Sequence, residues 1–383
     1  MPSASRLRRK VAIVGAAETE LGVLPDRSMI QLHAEAARLA LADAGLTEDD
    51  VDGIATAGTT PADISEYLHI SPRWVDGTAV GGGSFLMHVG HAAAAIEAGY
   101  CDTALVTHGE SGRSRVGMPP GDAGPSSIQG QFEHPFGGWG PPSMFSIPQV
   151  RHMHHFGSTE EQFAAVAVAT RRWATLNPRA MMRDPISVED VLNSRLIAWP
   201  LRLFNCCLVT DGGGALVLVS EERAHDFPKP PVWLLGRGEA TAHRSITFMD
   251  DMTEWTPAKQ TGASAFAMAG LDHADIRHLM LYDAFTHVPV YALEALGFVE
   301  PGEGAPYFAE MHTAPGGELP VNTNGGGLSY THTGMYGMFA IMESVTQLRG
   351  EAGERQLPNL ELSMTHAPAG MFSGTSTLIL GNL

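Results

Sequence analysis

The sequence predicts an α/β protein made of two similar halves, each built from layers of helices and strands. Short apolar runs that are typical of buried strands, such as VAIVGAA and GALVLVS, alternate with segments whose apolar residues recur at helical spacing. In each half a run of three glycines precedes a helical segment, at positions 81–83 and 325–327. The 383 residues are enough for two such halves. We expect the halves to comprise residues 1–225 and 226–383.

The first half shows strand and helix patterns in alternation. A strand at VAIVGAA is followed by the helical segment SMIQLHAEAARLALADAGL, which Gly45 ends as a C-cap. A second strand lies in DVDGIATAG. The segment from Thr78 to Gly99 predicts a strand end, a glycine turn and a long helix, and TALVTHGE is the next strand. The last strand of this half, in DGGGALVLVSEERA, ends near Ala224.

Residues 111–200 differ in character from the rest of the first half. The segment GMPPGDAGPSSIQGQFEHPFGGWGPPSMFSIPQV is rich in glycine, proline and aromatic residues and shows no period, which predicts a long functional insertion loop region. Regular structure returns with the helix STEEQFAAVAVATRRWATLN, for which Ser158 is the expected N-cap and Glu161 completes a capping box. Four aromatic residues of the insertion are expected to line an apolar pocket or, equally, a dimer contact: Phe132, Phe136, Trp139 and Phe145.

The second half begins after the proline-rich hinge FPKPP. Its predicted elements are a strand in VWLLGRGEA, a helix around Ala263 to Ala269, a strand in HLMLYDAF, a helix from Val288 to Leu296, an amphipathic helix after NTNGGGLSYTHTGMYG and a last strand in GTSTLILGNL. The succession repeats that of the first half, although the two halves share little literal sequence. It therefore favours a duplicated fold.

Composition and charge exclude several classes of function. The formal net charge is −18 and no lysine-rich tract is present, which argues against binding of nucleic acid through its phosphates. The longest apolar runs are far shorter than the roughly 20 residues of a membrane span, and the basic start RLRRK is not followed by a typical cleavage site. We therefore expect a cytoplasmic protein with no membrane association.

The three cysteines predict neither a disulfide framework nor a zinc site, because their number is odd and two are adjacent. Cys101 is expected to begin a strand of the first half. Cys206 and Cys207 are expected at the start of a buried strand, where cysteine packs as a small apolar residue.

Three segments contain residue types suited to chemistry. The turn at 81–83 places backbone N–H groups before a helix, an arrangement that favours an oxyanion, although three glycines alone are a weak signal. His88 and His91 follow on one side of that helix, where core or solvated histidines are more common than catalytic ones. The others are LYDAFT and NTNGGGLSYTHTGMYG; the latter surrounds a glycine turn with amides, a tyrosine and His332, a candidate general base.

Together these blocks resemble the thiolase superfamily over essentially the whole chain. Within it the sequence is similar to sterol-carrier-protein-type thiolases and to thiolase-like retro-aldolases, which cleave the side chains of steroid β-hydroxyacyl-CoA thioesters. The resemblance implies the thiolase fold, with duplicated αβαβα layered halves. It also implies an acyl-CoA substrate with no cofactor, a homodimer, and a small partner protein with an OB-fold and a zinc ribbon that helps to hold the coenzyme A.

The resemblance also assigns residues. The family's histidine falls on His332, the Asn or His of its NEAF or HDCF block falls on Tyr282, and a tyrosine that the retro-aldolases carry falls on Tyr330. The nucleophilic cysteine of a thiolase falls on Gly83, or at the edge of alignment error on Ser84. The second cysteine is expected in MTHAPAGMFSG, around Gly370, and no cysteine is present there.

A chain without these cysteines cannot transfer acyl groups through a thiolate in the usual way, whereas a retro-aldol reaction needs only a base and stabilisation of the thioester enolate. We therefore expect non-covalent retro-aldol or aldol chemistry on a bulky β-hydroxyacyl-CoA. The expected catalytic residues are Tyr282, Tyr330 and His332. The expected oxyanion and turn residues are Gly83, Ser84, Asn322, Asn324 and Gly370. The expected coenzyme A contacts are Arg171, Arg179 and Arg183, and no metal is expected.

Two alternatives remain open. The first is that the chain is an acyltransferase of the thiolase type, which uses Ser84 or another nucleophile. The second is that it is a catalytically silent subunit that supports an active partner. The sequence does not identify the acyl group, the direction of the reaction, or which tyrosine is the base.

Overall fold

The computed structural model describes residues 7–118 and 124–383; residues 1–6 of the predicted first half and residues 119–123 of the predicted insertion lie outside the described residues. The strands are β1 Val11–Glu18, β2 Gly53–Thr56, β3 Trp74–Asp76, β4 Thr103–Ser111, β5 Leu196–Ala198, β6 Leu201–Arg202, β7 Asp211–Ser220, β8 Val232–Thr241, β9 Leu279–Leu281, β10 Leu362–Ala369 and β11 Gly374–Gly381. The helices are α1 Met29–Ala44, α2 Pro61–Leu68, α3 Ser84–Glu97, α4 Ile128–Phe132, α5 Gly140–Phe156, α6 Glu160–Thr175, α7 Val188–Asn193, α8 Thr256–Ala269, α9 His287–Ala295, α10 Gly304–Ala309 and α11 Gly337–Leu348.

Nine of these strands form one mixed sheet in the order β3-β2-β4-β7-β1-β8-β11-β10-β9. The strands of the first half are therefore contiguous, and so are those of the second. The two sets join where β1 pairs with β8, with Ala12 opposite Trp233 and Ile13 opposite Val232. Strands β5 and β6 form a separate small hairpin.

Helices cover both faces of this sheet and create two cores. Helix α1 packs on β1, β4 and β7, and α8 packs on β8 and β11. Helices α3 and α11 contact each other, and each contacts strands of both halves. Alternate residues of β1 accordingly enter different cores: Ala12 and Val14 lie with α1, whereas Val11 and Ile13 lie with α3 and α11. The layered α/β architecture that the sequence predicts is confirmed.

Two predicted helix starts are wrong. Helix α6 is capped by Thr159, whose side chain accepts from the N–H of Gln162 while the Gln162 side chain returns a bond to the cap. Ser158, the predicted cap, instead bonds to the ring of the buried His152 at 2.6 Å. The sequence allows a capping box either from Ser158 to Glu161 or from Thr159 to Gln162. The structure uses the second, while the Ser158 hydroxyl bonds to His152. Helix α8 begins at Thr256, seven residues before the predicted Ala263.

The predicted insertion contains more regular structure than its sequence indicates. The 17-residue helix α5 runs through it, with prolines in its first turn and Pro148 in its interior. Proline suits the first turn of a helix but removes a backbone donor from the interior, so the segment shows no ordinary helical pattern. Its buried side chains, among them Met144, Phe145 and His152, hold the helix against the rest of the protein.

The predicted placement of two cysteines is also wrong. Strand β7 begins only at Asp211, so the segment that contains Cys206 and Cys207 precedes the strand. The N–H of Cys207 donates to the carbonyl of Ala284, and the N–H of Leu208 donates to that of Gly327. The segment therefore connects the residues after β9 with the second glycine turn.

No helix in the part of the chain that the structure describes is both long and apolar enough to span a membrane.

Candidate active site

A cavity of about 530 Å³ lies where the first glycine turn, the ends of β4 and β9, and the segment after the second glycine turn meet. Its polar and charged lining residues are Glu110, Arg115, Cys206, Cys207, Tyr282, His332 and Thr333. Its apolar lining includes Pro141, Phe145, Ile197, Leu203, Phe285 and Met371. The cavity thus draws residues from both halves of the chain.

Tyr282 is the first residue after β9, and its position is fixed from several sides. The Asn322 side chain accepts from the N–H of Leu281 at 2.8 Å and donates to the carbonyl of Leu281 at 2.7 Å, which clamps the end of the strand. The Tyr282 ring lies so close to Gly82 that any larger residue at 82 would collide with it. The glycine turn is therefore shaped to receive the phenol.

The Tyr282 hydroxyl joins two other groups at the cavity. It lies 2.8 Å from Nε2 of His332 and accepts a hydrogen bond from the N–H of Tyr336 at 3.1 Å. Enclosure away from water lowers the pKa of His332 to about 4 and raises that of Tyr282 well above its usual value. Both groups are therefore neutral at pH 7, and the Nδ1-protonated tautomer of His332 lets Nε2 accept the phenolic proton.

His332 is held through its backbone. Its N–H donates to Oγ1 of Thr210 at 3.1 Å, and its carbonyl accepts from the N–H of Thr210 at 3.0 Å. The ring is therefore presented to the cavity by a fixed main chain.

The turn before His332 is stabilised by a buried carboxyl group. Asp283 accepts from the N–H of Gly327 at 2.6 Å and from that of Leu328 at 3.3 Å, while burial raises its pKa to about 8. Gly326 has a φ of +61°, and a side chain there would collide with Asp283. Asn324 accepts from the N–H of Gly326 at 2.9 Å and from the Tyr336 hydroxyl at 2.7 Å. Asn322 and Asn324 therefore position the site and do not line the cavity.

The structure does not bring Tyr330 to this cavity. Its buried hydroxyl donates to Oε2 of Glu18 at 2.6 Å, and Oε1 of Glu18 lies 3.4 Å from Nη1 of Arg179. Tyr330 is absent from the lining residues, so the expectation that two tyrosines share one site is not met in this arrangement. The physical reason is the ion pair on the other side of the turn, which provides the hydroxyl with a charged acceptor.

The first glycine turn also differs from expectation. The N–H of Gly83 donates to the carbonyl of Pro368 at 2.7 Å, so it is not free to bind an oxyanion. Ser84 is fully buried; its hydroxyl donates to the carbonyl of Gly81 at 2.6 Å and accepts from the N–H of Val80 at 2.9 Å. The Ser84 hydroxyl is thus committed to the turn.

Two neighbouring glycines offer the donors instead. Gly82 and Gly370 both line the cavity, and their N–H groups donate to none of the residues that the structure describes. The turns that carry them touch, because a side chain on Gly81 would lie 2.9 Å from the backbone nitrogen of Gly370. This pair of turns therefore supplies backbone donors at one wall of the cavity.

None of the three arginines expected to bind coenzyme A lines the cavity. Arg171 is buried and donates to Oγ of Ser329 at 2.8 Å. Arg179 donates to the carbonyl of Thr19 at 2.7 Å, and Arg183 donates to that of Thr175 at 3.2 Å. Arg183 is exposed and the Arg179 side chain is 48% exposed, so the expected coenzyme A contacts of these arginines stay predictions. Among the described lining residues the permanent cation is Arg115.

Of the aromatic residues expected to line the pocket, Phe145 does so. Phe132, Phe136 and Trp139 are 56%, 87% and 68% exposed and lie outside the lining. The predicted insertion therefore contributes to the cavity through the first turns of α5 and also through Gly112, Arg115 and Ile197.

The histidines of α3 have partners outside the cavity lining. Nε2 of His88 lies 2.9 Å from the carbonyl of Thr78. His91 bridges Asp76 at 2.6 Å and Glu239 at 3.0 Å. Both therefore serve the packing of the helix.

The cysteines at the cavity are poor nucleophiles. Burial raises the pKa of Cys206 to about 12, and it raises that of Cys207 further still. The thiol of Cys206 donates to the carbonyl of Arg202 at 3.3 Å. Because the thiolate is the reactive form, neither cysteine is activated at neutral pH.

Sequence reasoning missed Glu110. It is the penultimate residue of β4 and lines the cavity beside Arg115. Burial raises its pKa to about 7, although the nearby positive charge of Arg115 opposes the shift. A signal was present in TALVTHGE, because a carboxylate at the end of an otherwise buried strand is costly without a role.

Comparison with known proteins identifies relatives of the whole chain. A family model described as "Thiolase C-terminal domain-like" matches residues 238–382. The chain is 35% identical over 388 residues to the "Steroid side-chain-cleaving aldolase" of Thermomonospora curvata, with 97% of each protein covered. It is 34% identical to the "17-hydroxy-3-oxo-4-pregnene-20-carboxyl-CoA lyase" of Mycobacterium tuberculosis, with 98% of this chain and 100% of that protein covered. It is also 32% identical to an "Acetyl-CoA acetyltransferase" of Methanothermobacter thermautotrophicus, with 94% and 97% covered.

A solved structure leads to the same family. The protein described as "Ltp2-ChsH2(DUF35) aldolase" superposes on this chain with a TM-score of 0.91 at 34% identity, and 98% of both chains is covered. The resemblance found in the sequence is thereby confirmed, as is the thiolase fold. The chain belongs to the thiolase superfamily, in a family that includes the steroid side-chain-cleaving aldolase of Thermomonospora curvata.

Proposed function

We propose that this protein is a carbon–carbon lyase that cleaves a β-hydroxyacyl-CoA by a non-covalent retro-aldol reaction. One observation carries the proposal. The Tyr282 phenol, bonded to the neutral ring of His332, lies in a cavity whose described lining contains no activated nucleophile. Proton transfer is therefore the chemistry that these residues favour over acyl transfer.

The phenol and imidazole form a relay for the substrate hydroxyl. One lone pair of the Tyr282 oxygen accepts from the N–H of Tyr336, which leaves the other for the β-hydroxyl of the substrate. As the Cα–Cβ bond breaks, the hydroxyl proton passes to the Tyr282 oxygen and the phenolic proton passes to Nε2 of His332. The phenol is restored, and no free phenolate is needed despite its raised pKa.

The electron pair of the broken bond becomes the thioester enolate, and the former β-carbon leaves as an aldehyde or ketone. We assign the enolate oxygen to the N–H groups of Gly82 and Gly370. Backbone donors fixed by two touching turns need no reorganisation when the charge forms, which is the condition for strong stabilisation.

The substrate class follows from the cavity wall. Phe145, Ile197, Leu203, Phe285 and Met371 offer an apolar surface that suits a bulky, largely apolar acyl group. Two of the relatives are described as acting on steroid side chains or on a pregnene carboxyl-CoA. We therefore infer a polycyclic substrate of the steroid type. Arg115 lines the same cavity, and we assign to it an attraction for a negative group of the coenzyme.

We further propose that the protein acts as a homodimer with a small OB-fold and zinc-ribbon partner. The solved relative is an aldolase whose description includes the second component ChsH2(DUF35). In this chain Ile197, Leu203 and Val209 line the cavity and are 37%, 43% and 57% exposed. An apolar rim of this kind is suited to cover by another protein.

The proposal is tested by intact-mass spectrometry after incubation with β-hydroxyacyl-CoA and acyl-CoA thioesters of steroid acids, with and without a DUF35-type partner. The released carbonyl compound and free coenzyme A are followed in parallel. We expect a carbonyl product, a shortened acyl-CoA, no covalent adduct and no free coenzyme A. An acyl adduct on a cysteine or on Ser84 would overturn the proposal in favour of acyl transfer.

Acyl transfer is the second candidate because one relative is described as an acetyl-CoA acetyltransferase. In this chain its nucleophile would be Ser84, Cys206 or Cys207. Acyl transfer is disfavoured because the buried Ser84 hydroxyl already makes two hydrogen bonds and because the pKa of the Cys206 thiol is raised.

A further inference from the structure

We propose that Glu110 donates the proton to the enolate carbon after the carbon–carbon bond breaks, and removes the same proton when the reaction runs towards condensation. The inference rests on the proposed retro-aldol function and adds a residue to it. The relay of Tyr282 and His332 takes up the hydroxyl proton, so a separate acid is required on the carbon side.

Glu110 has the position that this role requires. It lines the same cavity as Tyr282 and His332, but it comes from β4, where it pairs with Gly212 of β7. Its Oε2 is buried and bonds to none of the described residues. A buried carboxyl oxygen without a partner in the protein is costly, and a role in the reaction would account for that cost.

The main chain opposite is kept open for this carboxylate. Gly334, two residues after His332, has a φ of +138°, and a side chain there would collide with both carboxylate oxygens of Glu110. The cavity segment after the second glycine turn thus approaches the acid directly. The ionised form of Glu110 also acts on the Tyr282 hydroxyl, whose pKa it helps to raise.

The charged and titratable groups around Glu110 allow both its protonated and its ionised form to be populated. Arg115 favours the carboxylate, burial favours the acid, and Tyr282 and His332 face the same space as neutral groups. The resulting pKa of about 7 means that both forms are populated at neutral pH. Such a group is efficient as a general acid and as a general base.

The step balances without a further reactant. The O–H bond of Glu110 breaks, the enolate electron pair forms the new Cα–H bond, and a carboxylate remains. At that stage the substrate hydroxyl proton is on the Tyr282 oxygen, and the former phenolic proton is on His332. Loss of the latter proton to solvent and uptake of a solvent proton by Glu110 restore both groups.

Exchange of the Cα protons with solvent tests this role without requiring cleavage. Purified protein, with its partner if the two co-purify, is incubated with propionyl-CoA in D₂O, and deuterium uptake is followed by mass spectrometry. We expect Glu110→Gln to slow uptake by about 100-fold or more.

The pH dependence gives a second test on the unaltered protein. Exchange begins with the carboxylate, so its rate should rise as pH increases through about 7. Cleavage needs the protonated acid, so kcat/KM should fall over the same interval. Glu97→Gln, an exposed change on α3, serves as the matched control and should keep both rates.

The possible failures are distinguishable. Exchange by Glu110→Gln at the wild-type rate, or no exchange by a wild-type protein that cleaves its substrate, would overturn the role of Glu110. Full cleavage by Tyr282→Phe would instead overturn the proposed relay. If Glu110→Gln does not fold, as judged by circular dichroism, the wild-type pH profiles decide: an exchange rate that does not rise through pH 7 contradicts the inference.

Discussion

Tyr282 and Tyr330 are two buried tyrosines near the same glycine turn, yet their hydroxyl groups have different surroundings. Tyr282 bonds to the ring of His332 at 2.8 Å and lines the cavity. Tyr330 donates to Glu18 at 2.6 Å and lies outside the lining. Burial raises the pKa of both phenols. A raised pKa therefore does not separate a catalytic tyrosine from a structural one.

The difference lies in the acceptor. His332 is neutral at pH 7 because its pKa is about 4, so it can take a proton from Tyr282 and return it. Glu18 forms an ion pair with Arg179, and its hydrogen bond with Tyr330 ties the turn to β1. The first tyrosine is open to a ligand on one side, whereas the second joins two parts of the chain.

The largest expected effect is that of Tyr282→Phe. Removal of the hydroxyl breaks the relay between substrate and His332, and we expect kcat/KM for a β-hydroxyacyl-CoA to fall by about 10²–10⁴-fold. The free energy of unfolding should fall by only about 1–2 kcal/mol, through the bonds lost to His332 and to the N–H of Tyr336. Steady-state kinetics and denaturant unfolding measure the two effects separately.

The matched change Tyr330→Phe should reverse this pattern. The Glu18 carboxylate loses a donor inside the protein, so the free energy of unfolding should fall by about 1–3 kcal/mol. Cleavage should stay within about 3-fold of wild type, since the hydroxyl does not line the cavity.

The comparison fails if the folded Tyr330→Phe protein loses cleavage as completely as Tyr282→Phe. That outcome would mean that Tyr330 acts in catalysis, as the sequence resemblance implies. Circular dichroism and thermal unfolding of the variant provide the folding control for this comparison.

Much of the fold could be predicted from the sequence because it depends on local patterns. The apolar run of β1, the cap at Gly45 and the glycine turns each have a physical meaning within a few residues. The helix α5 could not be predicted, because Pro148 and the glycines around its start hide its period. Tertiary packing decides in favour of the helix there.

The site was predictable to the level of segments but not of side-chain directions. Tyr282 and His332 lie together as the block order implies. The N–H of Gly83 and the side chains of Asn322 and Asn324 are used within the protein. The bonds of Gly83 and Asn322 connect residues distant in sequence, as between Gly83 and Pro368, and no local pattern reports such contacts.

The smallest expected effect concerns Glu18, and it tests why the second tyrosine is structural. Burial raises the pKa of Glu18, although Arg179 and the Tyr330 hydrogen bond oppose the shift. A carboxyl whose pKa is raised in the folded state binds its proton more tightly there than in the unfolded chain. Its contribution to stability is therefore full below the ordinary pKa of about 4.3 and is lost as pH rises through the folded value.

Glu18→Gln removes this titration but leaves an amide oxygen to accept from Tyr330. The free energy of unfolding of the variant, relative to wild type, should therefore increase between pH 4 and pH 8. Urea unfolding at several pH values measures the difference, with Glu20→Gln, an exposed neighbouring change, as the baseline. If the free energy of unfolding of Glu18→Gln relative to wild type instead falls as pH rises, Arg179 stabilises the Glu18 carboxylate by more than its burial costs. The carboxylate that accepts from Tyr330 would then stabilise the fold.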